Sequence, residues 1–382
     1  MAKRRLVLFL DGTWKSADGE GRSTNVVKLM RAVAPKGKDG ADQIVYYDSG
    51  IGSDGGWWER MLAGATGRGL DKNVKDAYLF LGNNWRPGDE VFLFGFSRGA
   101  FTARSLAGFI ECCGLLDRHQ LRHLRQAWDA YRKRRCKDEN EDVARLQGQT
   151  VPVTCLGVWD TVGALGIPIR WFSPARWHKK RKYAFYNTDL GDGVKCALHA
   201  IAVDEKRGAF APTLWQRHED RPLKKGHVAE QVWFAGTHSD VGGGNEDAGL
   251  SDVTLEWMVE RVDHHTDLAF LDEWRTLDPH WNVKGNPLGV LHESRSLGYL
   301  VSYPLPFQRI IAGKDSWTRR FFRSRNLPKE NHLFVNEGIH ARVLHRFGKE
   351  APRQGLFGKP KPKWYRPKNV RAAKDEGADV VR

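Results

Sequence analysis

The segment EVFLFGFSRGAFTARSLAGFI, residues 90–110, places one serine between two glycines in Gly95-Phe96-Ser97-Arg98-Gly99. The apolar run before it predicts a strand, and the alanine-rich stretch after it predicts a helix. At such a tight turn the serine is held in a strained backbone conformation, and the flanking glycines leave room for the neighbouring strand and helix. Its hydroxyl is then lifted above the sheet as a nucleophile. The pattern predicts acyl-transfer chemistry at Ser97.

A serine nucleophile needs a base, and the base needs a carboxylate that orients it. Two downstream carboxylates follow predicted strands: Asp160 in GVWDTVGA and Asp240 in FAGTHSDVGGG. The strand before Asp240 is the later one, which is the usual position of the acid. Three glycines after Asp240 also let the backbone fold closely around a site. We expect Asp240 to be the acid and keep Asp160 in reserve.

The base should follow the acid in the chain, since the usual order is serine, acid, histidine. His340, in NEGIHARVLHR, follows a short apolar piece and precedes a helical segment, as a base on a late loop should. We expect His340 to be the base, with His345 as the fallback. His238 could instead bind a metal together with Asp240, but no further ligand spacing supports this. The predicted chemistry needs no metal and no cofactor.

Two backbone N–H groups are expected to hold the oxyanion that forms during the reaction. The first is that of Arg98, directly after the serine, at the positive end of a helix. The second should come from the loop after an earlier strand, and LVLFLDGTW supplies it at Gly12 or Thr13.

The elements that must position these residues follow from hydrophobic patterning. Short apolar runs end in turn residues and alternate with helical patterns, which predicts an α/β fold with a mostly parallel sheet flanked by helices. The predicted strands are 6–10, 44–47, 90–94, 151–158, 197–203 and 228–234, and the predicted helices are 71–84, 100–113, 119–147 and 251–262. We expect one catalytic domain over residues 1–348 and a basic, proline-containing, flexible tail over residues 349–382.

Composition and charge limit the classes of binding partner and the cellular location that we expect. The 382 residues carry a formal charge of +15, which favours anionic surfaces such as membrane lipid or nucleic acid. Five cysteines, an odd number, do not resemble a disulfide framework. The first apolar run stops at Asp11, too short for a signal peptide, and no run approaches a membrane span. A cytoplasmic protein is expected, with signal-independent secretion as an alternative; protein partners are not predicted.

Residues 163–190, between the two carboxylate loops, form a candidate lid or insertion. From Gly163 to Tyr186 the chain has six Lys or Arg residues, no Asp or Glu, and several aromatic residues. Aromatic rings with basic neighbours suit an anionic membrane interface, and they also suit single-stranded nucleic acid, which is our second choice. The residues expected to contact a membrane are Trp171, Phe172, Trp177, Lys179, Lys180 and Arg181.

Six motifs, read in order, resemble one family: LVLFLDGTW, YYDSGIGS, GFSRGAFTARSLAG, GVWDTVGALG, AIAVDEKRGAFAPTLW and VWFAGTHSDVGGG. This is the α/β-hydrolase domain family that includes the type VI secretion phospholipase effectors (Tle1-like catalytic domain), and the resemblance covers about residues 4–347. It implies the α/β-hydrolase fold with an inserted lid-like segment, and a triad that falls by motif on Ser97, Asp240 and His340. It also implies cleavage of phospholipid ester bonds.

A hypothesis from another class is a non-enzymatic basic module, for nucleic acid or anionic membrane, on a hydrolase scaffold. The two hypotheses differ in geometry. An enzyme needs a histidine close to Ser97, whereas a binding module does not.

Overall fold

The computed structural model describes residues 3–12, 23–50, 68–138, 141–162, 189–277, 282–295, 299, 307–311, 332–356, 358–375 and 377–381. The strands are β1 (Arg4–Leu10), β2 (Asp42–Asp48), β3 (Glu90–Phe96), β4 (Val153–Trp159), β5 (Val194–Ala202), β6 (Gln216–His218), β7 (Val228–Phe234), β8 (His332–Phe334), β9 (Glu337–His340), β10 (Glu350–Arg353), β11 (Lys361–Trp364) and β12 (Asp379–Val381). The helices are α1 (Asn25–Ala32), α2 (Arg68–Asn84), α3 (Arg98–Cys113), α4 (Leu124–Arg132), α5 (Glu141–Ala144), α6 (His238–Gly242), α7 (Gly249–His265), α8 (Ala341–Arg346) and α9 (Lys368–Asp375).

Eight strands form the central sheet, in the order β12-β9-β7-β5-β4-β3-β1-β2. In the described part of the chain every pairing within this sheet is parallel. All of its strands therefore point their carboxyl ends to one edge. In open parallel sheets this is the edge at which ligands bind.

Strand β1 explains why helices cover both faces of the sheet. Side chains alternate between the two faces along a strand. Leu6 and Leu8 pack into one apolar core with residues of α2, α3 and α4. Val7 and Phe9 pack into a second core with residues of α1 and α7. A sheet buried on both faces reads as continuous apolar runs, which is why the sequence predicted these strands. The α/β-hydrolase fold expected from the sequence is confirmed.

The long helix predicted over residues 119–147 is wrong. The chain forms a short 3₁₀ turn (Leu121–His123), α4 and α5 instead. Arg134 adopts a left-handed conformation with φ 54°, which ends helical geometry after α4. The N–H of Lys137 then bonds to the carbonyl of Cys112 at the end of α3. The pattern of charged residues in this stretch could not predict these tertiary contacts, which break the helix.

A disulfide joins Cys112 at the end of α3 to Cys136 after α4. The odd number of cysteines gave no reason to expect it, because spacing alone does not reveal which cysteines meet. The remaining cysteines, Cys113, Cys155 and Cys196, are free and buried.

The tail predicted to be flexible is folded in its described part. Strands β10 and β11 form an antiparallel hairpin, α9 follows, and β12 pairs with β9 at the end of the central sheet. Tyr365, Val370 and Ala373 are buried in a third apolar core beside Trp233 and Ile339. Basic and proline-rich composition suggested disorder, but these apolar positions anchor the segment to the sheet.

Residues 163–188, almost all of the predicted lid, lie outside the described residues, so that its membrane-contact role stays a prediction. This applies to Trp171, Phe172, Trp177, Lys179, Lys180 and Arg181. Among the helices that the structure describes, none is both long and apolar enough to cross a bilayer.

Two neighbouring alanines of α9 test whether the C-terminal segment is part of the fold. Ala373 is fully buried, whereas Ala372 is exposed. We expect Ala373→Asp to lower the free energy of unfolding by about 3 kcal/mol or more, because it buries an unpaired carboxylate. The matched Ala372→Asp change should stay within about 0.5 kcal/mol. Urea unfolding of both variants checks this, and equal effects would mean that α9 does not pack on the sheet.

Candidate active site

Ser97 lies at the turn between β3 and α3, in a strained conformation with φ 59° and ψ −116°. Positive φ is rare outside glycine and is typical of strained functional positions. A Cβ on Gly95 would lie 2.6 Å from the backbone of Gly99, and a Cβ on Gly99 would overlap the carbonyl oxygen of Leu10. Both glycines are therefore required sterically, which is the reason the sequence pattern gave for them.

The histidine next to Ser97 is His238. Its Nε2 lies 2.8 Å from Ser97 Oγ, and its Nδ1 lies 2.6 Å from Asp160 Oδ2. Ser97 follows β3, Asp160 follows β4, and His238 begins α6 shortly after β7, so all three lie at the carboxyl edge of the sheet. Their exposed fractions are 7%, 0% and 5%, respectively. The structure thus forms a hydrogen-bonded chain of serine, histidine and aspartate in which the reserve acid, Asp160, takes the place expected for Asp240.

Asp160 is fully buried and its negative charge is balanced by Arg309, which is also fully buried. Nη1 of Arg309 lies 2.5 Å from Oδ1, and Nη2 lies 3.0 Å from Oδ2. The N–H of Ala202, at the end of β5, also donates to Oδ1 at 3.0 Å. Burial alone would raise the pKa of Asp160, but the Arg309 cation and the hydrogen bond from His238 outweigh it and hold this pKa well below its usual range.

His238 is enclosed by aromatic rings. The centroid of Phe96 lies 4.6 Å from that of the imidazole, and Phe210 meets it edge-on at 4.9 Å. Its backbone N–H donates to Glu205 at 3.3 Å. Burial lowers the pKa of His238 below 6.5, and the hydrogen bond to Asp160 opposes this. The imidazole is therefore neutral at neutral pH, which is the form that can accept a proton.

His340, the expected base, does not reach Ser97. Strand β9 lies four positions from β3 in the sheet, and His340 ends β9 as the N-cap of α8. Its Nδ1 accepts the N–H of Arg342 at 3.2 Å, and its ring stacks on Phe234 with centroids 4.6 Å apart. Burial lowers the pKa of His340 to about 4. The fallback, His345, lies exposed on α8 beside Lys349. Neither of the two histidines expected to be the base lies next to Ser97.

Asp240, the expected acid, faces away from His238 because two residues along a helix turn the side chain to another side. Its Oδ2 accepts the N–H of Thr237 at 3.0 Å, which caps α6. Its Oδ1 lies 2.5 Å from Nδ1 of His292 and accepts a hydrogen bond from Asn245 at 2.7 Å. Asp240 therefore fixes the helix on which His238 lies, while Asp160 contacts the imidazole itself.

The alternative of a metal bound by His238 and Asp240 does not fit this geometry. Both ring nitrogens of His238 already have partners, and Asp240 faces Thr237 and His292. Among the described residues no group of three or more potential ligand side chains clusters around a common point.

Two of the residues expected to donate to the oxyanion, Arg98 and Gly12, lie beside Ser97. Arg98 is the first residue of α3, as expected, so its N–H follows Ser97 directly. Gly12 lies against Ser97, since a Cβ built on it would be 3.3 Å from Ser97 Cβ. However, its N–H donates to Asp11 Oδ1 at 2.7 Å. Thr13 lies outside the described residues and stays a prediction.

The sequence did contain a signal for His238. The order Ser97, Asp160, His238 keeps the expected order of nucleophile, acid and base. With Asp160 as the acid, His238 becomes a histidine that closely follows a predicted strand. The choice of Asp240 removed it from consideration, because only histidines after the acid were eligible.

The buried Asp160–Arg309 pair should be strongly coupled in stability. We expect Arg309→Met to cost about 3–5 kcal/mol of unfolding free energy, because it leaves a buried carboxylate without its cation. The double change with Asp160→Asn should cost less than the sum of the single changes, by about 1–3 kcal/mol. The exposed Lys72–Asp76 pair serves as the control. Its cycle, with Lys72→Met and Asp76→Asn, should give a coupling free energy of about 0.5 kcal/mol or less. Chemical unfolding measures both cycles, and additive effects at Asp160 and Arg309 would contradict the pairing.

Comparisons with known proteins agree with the motifs. The family described as "T6SS, Phospholipase effector Tle1-like, catalytic domain" matches residues 4–261, more than half of the chain. A Saccharomyces cerevisiae (strain ATCC 204508 / S288c) protein, "Uncharacterized protein YEL023C", is 29% identical over 232 residues, which are 54% of this chain and 32% of that protein.

Two solved structures are also similar. An uncharacterized protein from Pseudomonas aeruginosa has 18% identity and a TM-score of 0.44, with 74% of this chain and 49% of that one covered. The Tle1 effector bound to the VgrG spike of the type VI secretion system has 20% identity and a TM-score of 0.36, with 65% and 52% covered. The chain thus spans about a third of its yeast relative and about half of each structure. From its family match, this chain belongs to the Tle1-like family of type VI secretion phospholipase effector catalytic domains.

Proposed function

We propose that this chain is a serine hydrolase of the lipase and esterase type that cleaves carboxylic ester bonds of membrane phospholipids. The observation that carries the proposal is the hydrogen-bonded chain from Ser97 through His238 to Asp160. A non-enzymatic binding module would not need a histidine 2.8 Å from a serine in a strained turn. The comparisons give no support to nucleic acid as a substrate.

In the proposed reaction, Nε2 of His238 takes the proton of Ser97 Oγ as the oxygen attacks the ester carbonyl. The N–H of Arg98 stabilises the negative charge that develops on the carbonyl oxygen. His238 then gives its proton to the leaving alcohol, and the acyl group stays on Ser97. Water, deprotonated by the same imidazole, attacks the acyl-enzyme, and His238 returns this proton to Ser97 Oγ as the bond to the acyl group breaks and the fatty acid leaves.

Asp160 has two roles in this scheme. Its Oδ2 accepts the proton on Nδ1 of His238, so that Nε2 is free to act as the base. Its charge stabilises the imidazolium that forms when the proton is taken. Arg309 keeps Asp160 ionised, because the pKa of this carboxyl lies well below its usual range.

A lipid with an anionic headgroup fits the surroundings of the nucleophile. Arg98 follows Ser97 directly, and burial lowers the pKa of its guanidinium to about 10, so that it remains a cation at neutral pH. Among the described residues no carboxylate forms an ion pair with it. The phosphate of a glycerophospholipid lies a few bonds from its ester groups and would supply the missing negative charge.

The triad is tested by replacing Ser97, His238 and, as a control, His340 with alanine. We expect Ser97→Ala and His238→Ala each to lower kcat/KM by about 10³-fold or more, because nucleophile or base is lost. His340→Ala should retain activity within a few-fold, since His340 caps α8 and does not approach Ser97. The measurements are hydrolysis of p-nitrophenyl butyrate and fatty-acid release from dispersed phospholipid. Full activity in His238→Ala, or its loss only in His340→Ala, would exclude this triad.

The pH dependence follows from the pKa of His238. Burial lowers this pKa below 6.5, and the base acts only when the imidazole is neutral. Activity should therefore be absent at low pH, rise as His238 loses its proton, and level off above that pKa. We expect the midpoint of the acid limb of kcat/KM below pH 6.5 with p-nitrophenyl butyrate. A midpoint above pH 7 would contradict this assignment of the base.

A further inference from the structure

The hairpin formed by β10 and β11 carries a dense positive charge. From residue 351 to residue 374 the sequence contains no Asp or Glu. The basic residues in this stretch are Arg353, Lys359, Lys361, Lys363, Arg366, Lys368, Arg371 and Lys374. All four residues of β11 are exposed, so that this strand is open to solvent on both of its faces. We call residues 353–368 the basic hairpin.

Three lysines of the basic hairpin form no ion pair within the described part of the fold. In the part of the chain that the structure describes, Lys359, Lys361 and Lys363 have no carboxylate partner within ion-pair distance. By contrast, basic residues elsewhere on the surface, such as Lys36 and Lys72, do form ion pairs. A run of like charges without counter-ions repels itself and lowers stability, which favours an external anionic partner.

Apolar side chains are exposed among the same charges. The exposed fraction of Trp364 is 58%, and that of Leu356, in the loop of the hairpin, is 41%. The guanidinium of Arg366 lies 5.0 Å from the centre of a Trp364 ring. Tryptophan is enriched where apolar and aqueous phases meet, and neighbouring cations bind lipid phosphates. Single-stranded nucleic acid calls instead for successive aromatic platforms, and the leucine of the loop would have no partner there.

The basic hairpin is attached to the carboxyl edge of the central sheet. At its far end, the hydroxyl of Tyr365 donates to Asp204, just after β5, at 2.9 Å. At its near end, Gln354 N–H donates to the carbonyl of Leu291 at 2.9 Å. His292, the residue after Leu291, contacts Asp240 in the helix that carries His238. The hairpin is therefore held at the edge where Ser97 lies.

We infer that the basic hairpin docks the protein onto an anionic phospholipid bilayer. Lysine side chains would bind lipid phosphates, Trp364 would lie at the headgroup level, and Leu356 would enter the hydrocarbon boundary. Docking at this edge would bring the candidate active site to the surface that holds the ester. The inference builds on the proposed function for its purpose, but the docking itself does not need an active Ser97.

The test measures vesicle binding without hydrolysis. The full chain with Ser97→Ala is titrated with vesicles of phosphatidylcholine alone and of phosphatidylcholine with 30% phosphatidylglycerol, and bound protein is separated by flotation. One variant combines Lys359→Gln, Lys361→Gln and Lys363→Gln. A second combines Leu356→Ser and Trp364→Ser. A control combines Lys3→Gln, Lys36→Gln and Lys38→Gln, which removes the same charge near the amino edge of the sheet.

We expect the hairpin lysine variant to bind the anionic vesicles on the order of 100-fold more weakly, since each basic residue near such a surface contributes several-fold. The apolar variant should also bind more weakly, and the control should stay within about three-fold of the parent. Equal affinity of the parent and both hairpin variants would overturn the inference. So would normal vesicle binding by the lysine variant together with loss of binding to a single-stranded oligonucleotide, which would assign the hairpin to nucleic acid.

The same hairpin changes in the chain with Ser97 intact separate docking from catalysis. Hydrolysis of p-nitrophenyl butyrate, which needs no membrane, should be unchanged, whereas fatty-acid release from anionic vesicles should fall. Loss of both activities would overturn the inference, because the hairpin would then act on the catalytic site itself. If Ser97→Ala hydrolysed the soluble ester as well as the parent, the proposed function would fail, while the vesicle-binding result would still decide the docking role.

Discussion

The carboxylate of Asp160 is the contact on which the candidate site depends. It joins four parts of the chain: the turn after β4, the end of β5 through Ala202, the 307–311 segment through Arg309, and α6 through His238. A fully buried charge is tolerated only where other groups compensate it. Here Arg309 and the N–H of Ala202 compensate the charge and fix the carboxylate, and the fixed carboxylate orients the imidazole of His238. The electrostatic cost of burial and the orientation of the base are therefore met by the same set of contacts.

What could be predicted from the sequence depends mainly on local sterics and periodicity. The glycines around Ser97 are required because the backbones of β1, β3 and α3 approach each other too closely for any side chain. A steric restriction of this kind can be recognised from five consecutive residues of the sequence. The parallel sheet was likewise predictable, because strands buried on both faces appear as uninterrupted apolar runs. Neither prediction required knowledge of which distant segments meet.

The partners of Ser97 could not be chosen in the same way. Asp160 and Asp240 both follow apolar strands, and their local sequences do not show which one faces a histidine. The difference comes from distant groups: Arg309 balances Asp160, whereas Thr237 and His292 occupy Asp240. The folded C-terminal segment was missed for a similar reason. Its few apolar residues, such as Val370, are buried only because they pack against a core formed by the distant strands β7 and β9.

The distance along the chain between Asp160 and Arg309 has a consequence for biosynthesis. A ribosome delivers residues in order, and 149 positions separate the carboxylate from its counter-ion. While residue 309 is still unmade, Ser97, Asp160 and His238 have all been synthesised, but the acid has no cation to offset its burial. The nascent chain therefore cannot hold the site in its final electrostatic state. Any esterase activity of this protein would begin only after most of the polypeptide has emerged and the late segment has docked.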